Sequence, residues 1–304
     1  CSGIVTSKIK ELVPIRKQFL INRIKKLRVY APNGKFAELN FKNENYILDR
    51  TKFDRYIADK AKYAGAEYFL NHKFLGVKGN VLKFNKGLKK TKILVGADGP
   101  MSAVARAHGL LKNRKFVVGL QARVSGKFDK NTVNTYLNKG YFGWIIPENE
   151  NVARIGIVSK KNPNFYFKKF MKNFKGKVRE YQSGLIPVYD PKFKTQKKNV
   201  YLVGDAAGHV KASTFGGIVT GMFAARELAK AIIKGKDYEK LWRKKLGKEL
   251  KRHLSVRKKF ERFNNNDYNY LIHLMKQIYM LNLLIQILLI KEILVLVYQN
   301  YYHQ

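Results

Sequence analysis

Cysteine is nearly absent from this chain: Cys1 is the single one among 304 residues. That excludes an internal disulfide and any metal or iron–sulfur site held by several thiolates, and it fits a reducing compartment. The six histidines show no metal-ligand spacing, and no Ser/His or His/carboxylate pattern argues for hydrolysis. Acid is scarce as well. There are 21 Asp+Glu against 61 Lys+Arg, a formal net charge of +40. Such an excess raises nucleic acid or an anionic membrane as a partner. The surplus is mostly lysine spread along the whole chain, with no Arg-rich block and no nucleic-acid motif, which argues against nucleic acid. A solvated lysine surface and attraction to a membrane stay open. No Met and no signal peptide stand at the start, so the chain is expected to begin inside a longer protein. No repeat or low-complexity linker is present.

What is present suits a folded core. Apolar residues make up 45% of the chain and aromatics 13%, enough for one large domain or two interleaved ones. From Leu48 to Lys62, Phe53, Ile57 and Ala61 recur at helical spacing behind Asp49, a ready N-cap. β-rich stretches follow at Glu67–Leu70 and Val81–Phe84, then a buried strand at Lys92–Val95 that runs into Gly96. Between Phe116 and Val158 the pattern alternates, with turn signals at Ser125-Gly126 and Asn138–Gly140, and predicts antiparallel strands. A second α/β stretch comprises the strand Asn199–Val203, a glycine-rich loop at Gly204–Gly217 and an Ala-rich helix at Ile218–Ile233. Beyond Gly235 the pattern is basic and helical, with Tyr238, Leu241 and Trp242 on an apolar edge. The run Leu281–Tyr298 is strongly apolar, but Gln286, Lys291 and Glu292 interrupt it, which favours a buried or interfacial helix over a membrane span.

Two loops carry the chemistry. In Gly96-Ala97-Asp98-Gly99, glycines after a strand let backbone approach a ligand, and the loop opens into a helix carrying Ser102 and Arg106. An ordinary strand–turn–helix corner is the alternative. In Gly204-Asp205-Ala206-Ala207-Gly208, continuing to Thr214-Phe215-Gly216-Gly217-Ile218, a strand ends in a carboxylate able to accept from sugar-like hydroxyls. A glycine loop then feeds a helix N-terminus, whose free N–H groups and dipole favour negative charge.

With Leu48-Asp49-Arg50 and Phe53-Asp54, these loops resemble the flavoprotein superfamily of aromatic hydroxylases and geranylgeranyl reductases. Three further segments resemble the reductase branch: Cys1-Ser2-Gly3-Ile4, Tyr141-Phe142-Gly143-Trp144-Ile145-Ile146-Pro147 with the glycine strand after it, and Ser183-Gly184-Leu185-Ile186-Pro187. The resemblance spans Cys1 to about Arg262. It departs from the family in two places: no Gly-x-Gly-x-x-Gly fingerprint or following acid is found, and Phe215 stands where a third glycine is common.

The resemblance implies an α/β fold. In it a Rossmann-like FAD-binding domain (residues 1–112 and 181–235) is interleaved with an antiparallel-sheet substrate domain (113–180), ahead of a helical region (236–304). Residues of about 27–48 are possible strands of the substrate sheet. FAD is the implied cofactor, with Asp205 on its ribityl chain, Gly216 and Gly217 along the pyrimidine edge beside Gly204 and Ile218, and Asp98 and Gly99 on the nucleotide side near Arg50. Tyr141, Trp144 and Pro147 would line a slot for a prenyl tail, and Cys1 would lie beside the flavin. The implied reaction is reduction of isolated double bonds in geranylgeranyl chains of membrane lipids, with electrons from reduced ferredoxin or NAD(P)H. A cytoplasmic enzyme peripheral at the inner face of the membrane is the expected setting. A hydroxylase-like monooxygenase and a truncated, non-catalytic lipid-binding relative are the alternatives.

Overall fold

The computed structural model describes residues 1–281 apart from 112. In chain order its elements are β1 (Ile4–Val5), β2 (Leu20–Tyr30), β3 (Phe36–Leu48), α1 (Arg50–Tyr63), β4 (Phe74–Lys78), β5 (Val81–Phe84), β6 (Gly87–Lys90), β7 (Leu94–Gly96) and α2 (Ala103–Ala107). There follow β8 (Phe116–Ser125), β9 (Thr132–Asn138), β10 (Tyr141–Pro147), β11 (Val152–Ser159), α3 (Pro163–Met171), β12 (Lys177–Pro187), β13 (Gln196–Lys197) and β14 (Val200–Leu202). The described chain ends with α4 (Ile218–Lys234), α5 (Tyr238–Trp242), α6 (Lys248–Phe260) and α7 (Asn265–Leu281).

Eight strands form the main sheet, in the order β1-β3-β2-β9-β10-β11-β8-β12. It contains the strands expected from Phe116 onward, but it is mixed rather than antiparallel, because β2 runs parallel to β9 with Lys26 opposite Thr132. A hairpin forces antiparallel pairing; here the chain passes through the α/β layer between β3 and β9 and is free to return parallel. The sheet also holds β12 paired with β8 from Lys177 to Pro187. The boundary expected at 180/181 therefore falls inside a strand, and the chain leaves this sheet only after Pro187.

The α/β layer rests on β7 and β14, which are parallel with Leu202 opposite Gly96. Parallel neighbours deliver their following loops to the same edge, so the Asp98 and Asp205 loops emerge side by side. Two sequence expectations shift here. The strand at Lys92–Val95 forms instead at Leu94–Gly96 and is poorly covered, with Ile93 and Val95 exposed. Glu67–Leu70 is not a strand: no described strand pairs with it, whereas Phe74–Lys78 turns at Gly79-Asn80 and pairs with β5.

Helix α1 starts where Asp49 accepts a hydrogen bond from the Lys52 N–H (3.1 Å), a cap worth about 1 kcal/mol. Its Phe53 joins a core with Phe19, Tyr46, Phe223 and Leu228 of α4, and Tyr238 and Trp242 of α5. The last two bury their polar atoms without leaving them unpaired. Trp242 Nε1 donates to Thr195 Oγ1 (2.8 Å), and the Tyr238 hydroxyl donates to the Leu202 carbonyl (3.0 Å). Helix α7 covers the other flank through Tyr268, Leu271 and Ile272 against Val29 and Leu137. Beyond its first residue, the apolar run Leu281–Tyr298 lies outside the described residues. Among the described residues no helix is long and apolar enough to cross a membrane.

Candidate functional site

Arg114 joins the two loops. Its Nη1 donates to the carbonyls of Asp205 (3.2 Å) and Ala206 (2.8 Å) and lies 3.5 Å from that of Pro100. The guanidinium is buried, with Nε and Nη2 unpartnered among the described residues. In their use of the carboxylate the loops differ. Asp98 accepts from the Ser102 hydroxyl (2.5 Å) and from the Val104 N–H (3.1 Å), so both of its oxygens serve the start of α2 rather than the cleft. Gly99 beside it keeps open backbone.

Asp205 sits on a 3-10 turn, Gly204–Ala207, and its carboxylate accepts no hydrogen bond from the described residues. Burial pushes this carboxyl above the ordinary aspartate range, with Arg50 and Arg114 opposing the shift. Gly217, directly before α4, is shaped around it: a Cβ there would lie 3.0 Å from Asp205 Oδ1 and 3.1 Å from Val210 Cγ2. Arg50 is held by Asp54 through Nε (3.0 Å) and Nη2 (2.9 Å) and points Nη1 at Cys1 Sγ (3.1 Å). Cys1, Arg50, Asp205, Gly217 and Ile218 thus gather at one place. The loop is fixed in its middle, where Ser213 Oγ and His253 Nδ1 lie 2.6 Å apart. Burial and then Lys211 push His253 down to about 4, which leaves it neutral at pH 7. This Ser/His contact, absent from the sequence reading, joins residues 40 positions apart.

Beside the loop stands an aromatic wall. Strand alternation sends Phe142 and Trp144 to one face of β10, with ring centroids 6.4 Å apart, and Phe215 from the loop approaches Phe142 at 6.5 Å. Trp144 Nε1 donates to Gln121 Oε1 (2.9 Å), and Gln121 Nε2 donates to Gln182 (2.8 Å). The indole lies over Gly156 on the neighbouring strand, where a Cβ would come within 2.5 Å of Trp144 Cζ2. Tyr141 belongs elsewhere. It packs under α3 against Tyr166 (5.3 Å) and Phe170 (5.8 Å), on the opposite face from Trp144. Pro147 is buried and shares Tyr141's parity, so of the three residues expected to line one slot only Trp144 stands with Phe142, which Phe215 approaches. Phe215 holds φ at 59°, a left-handed conformation costly for a side chain of this kind, and Arg257 lies over its ring at 5.1 Å.

A digeranylgeranylglycerophospholipid reductase 2 from Methanothermobacter thermautotrophicus is 30% identical over 277 residues, covering 79% of this chain and 72% of the relative. The chain belongs to the digeranylgeranylglycerophospholipid reductase family. Another reductase of that name, from Methanothrix thermoacetophila, is 28% identical across 89% of this chain and 80% of its own length. Among solved structures, a geranylgeranyl bacteriochlorophyll reductase-like protein from Thermoplasma acidophilum superposes with a TM-score of 0.82 at 25% identity, covering 91% of this chain and 81% of that one. The flavin-dependent brominase Bmp2 shares the fold alone (TM-score 0.63, 18% identity, 92% and 77% covered). No family model matches the chain. The fold is thus a Rossmann-like α/β type shared with flavin-dependent enzymes, and the family is one of oxidoreductases.

For this family member the site can be tested against a flavin. The free Asp205 carboxylate, the cradle that a Cβ at Gly217 would fill, and the unpartnered Arg114 nitrogens all fit such a group. Arg114, Gln121, Phe142 and Phe215 were missed as site residues in the sequence. Only the last two carried a signal there, through strand parity and through membership of the glycine loop.

Proposed function

We propose that this family member is an FAD-dependent reductase that saturates isolated double bonds in the geranylgeranyl chains of prenyl lipids. The observation that carries the reading is a part-buried carboxylate, Asp205, that accepts no hydrogen bond from the described residues at the approach to α4, on a loop whose Phe215 approaches the Phe142 ring. Asp205 is suited to hold ribityl hydroxyls. Gly216, Gly217 and Ile218 present the backbone and dipole of a helix start to the electron-rich edge of a reduced ring. When bound, FAD supplies the hydride. The chain's own part is to orient the alkene and keep water out. Phe142, Trp144 and Phe215 offer a hydrocarbon tail apolar surface, and Gln121 fixes the Trp144 indole by its only polar atom. Arg50 braces the near side and holds Cys1 there.

The test is purification followed by absorbance, dithionite bleaching and reoxidation. The flavin should be reoxidised by a digeranylgeranyl glycerophospholipid, whose mass rises by two hydrogens for each double bond. A bleached flavin that no geranylgeranyl lipid reoxidises overturns the reading. An oxygen-dependent hydroxylated product moves the assignment to the monooxygenases. Parallel trials with NAD(P)H and with reduced ferredoxin identify the electron source.

A further inference from the structure

We propose that the small sheet β4–β6 and its flanks, residues 66–93, dock the protein on anionic phospholipid bilayers. The stretch carries seven lysines against a single acid, Glu67. Among the described residues none of those lysines enters an ion pair. Elsewhere lysines do pair, as Lys26 does with Glu38 and Lys130 with Glu150.

Apolar exposure coincides with this charge. Of the fifteen large apolar side chains exposed among the described residues, six fall in this short stretch, led by Leu70 at 75%, Leu88 at 67% and Phe69 at 53%. The register explains how both kinds of residue share one face. Val81 lies opposite both Lys78 and Lys90, and Lys83 opposite Leu88, so Lys78, Lys83, Lys90 and Leu88 stand on the same side. Leu75 occupies the irregularity between Phe74 and Gly76 and is 52% exposed. The sheet is anchored from within, where Phe74 packs with Val104, Ala105 and Leu110.

Lysines alone would be explained as guards of an edge strand. Guards do not need exposed leucines beside them. Leucines interleaved with unpaired lysines match the interfacial pattern, in which apolar side chains enter the headgroup boundary and each cation gains from anionic lipid. A nucleic-acid surface would present stacking aromatics with arginine, and this stretch contains no arginine. The inference uses no residue of the site above and stands without the reductase reading.

The test is co-sedimentation of the full chain with vesicles of phosphatidylglycerol and phosphatidylcholine in equal parts, and of phosphatidylcholine alone. Wild type should partition to the mixed vesicles and far less to the neutral ones. The sets Lys78→Glu/Lys83→Glu/Lys90→Glu and Leu70→Ser/Leu75→Ser/Leu88→Ser should each lose on the order of tenfold in partitioning. A matched set on α3 and its C-cap, Lys168→Glu/Lys169→Glu/Lys172→Glu, should lose only about twofold through net charge. Thermal unfolding confirms that each variant is folded. Independently, Leu88→Trp should add emission that shifts to the blue with mixed vesicles. The proposal is overturned if wild type does not bind, if neutral vesicles bind equally, if the α3 set matches the meander sets, if the leucine set binds like wild type, or if the added tryptophan shows no shift.

Discussion

The Asp98 and Asp205 loops leave neighbouring parallel strands at the same edge, each offering a carboxylate just past the strand end, and they put it to opposite uses. After Asp98 a serine stands four residues on and α2 begins at once, so the carboxylate finds two donors locally and becomes a cap. After Asp205 come Ala206 and Ala207, which complete a 3-10 turn capped by Gly208, and α4 starts only at Ile218. Among the described residues this carboxylate accepts no hydrogen bond, though Arg50 and Arg114 act on it by charge. Position four after Asp205 is His209, fully buried and turned to Trp242 at 4.6 Å. The residues that follow the aspartate decide its use.

Four measurements would break or sharpen this contrast. Asp205→Ala should have the largest effect: activity down by about a hundredfold or more with flavin no longer retained, and stability unchanged or slightly raised, since a desolvated carboxyl is removed. Flavin retained at wild-type stoichiometry would sink the assignment. Gly217→Ala crowds Asp205 and Val210 and should cost about 1–3 kcal/mol, read as lower flavin occupancy and a lower unfolding midpoint. Asp98→Asn should cost about 1 kcal/mol in urea unfolding while flavin occupancy holds. If it empties the site as Asp205→Ala does, the two loops do not differ in the way described.

The last measurement concerns His209. Burial first, then Arg243 and Arg114, push this imidazole down to about 3 from its ordinary 6.5. Between those values the unfolded chain binds a proton that the folded protein excludes, so stability should fall as pH drops below 6.5, by about 1.4 kcal/mol per unit at most. His209→Phe should reduce the slope of the urea midpoint between pH 6.5 and 5, leaving the share due to His253, which is also held below 6.5. Glu148 adds a separate loss at lower pH. Burial would raise its carboxyl, but hydrogen bonds from Arg123 and Arg154 outweigh that and hold it below the ordinary 4.5. Its contribution is complete above that value and disappears as pH falls through the depressed one. A midpoint that is flat in the wild type down to pH 5 would show that His209 is not the proton-excluding group proposed.

Local signals were legible where local physics sufficed. Asp49 ahead of a helical apolar spacing, the alternating strands from Phe116, and the strand–loop–helix at Asp205 could all be read before any tertiary contact was known. Tyr141 was misplaced because a run of aromatics reads as one lining, whereas period two splits it between two faces; Phe142, not Tyr141, stands with Trp144. Glycine at 156 reads as a strand weakness in the sequence, and its cause, the indole lying over it, is visible only across the ladder. Arg114 sits in a stretch crowded with cations, and nothing local distinguishes it from Lys115 or Lys112. Its partners lie 91 and 92 positions away.

That one guanidinium touches backbone from both loops, so their separation is set by a side chain that belongs to neither. Neither loop can be repositioned alone without breaking Arg114's hydrogen bonds to backbone, which leaves it the Phe193 ring at 5.2 Å. The pair therefore acts as a ruler. A ligand long enough to rest on both meets them at a fixed span, and one that reaches a single loop gains nothing from the other.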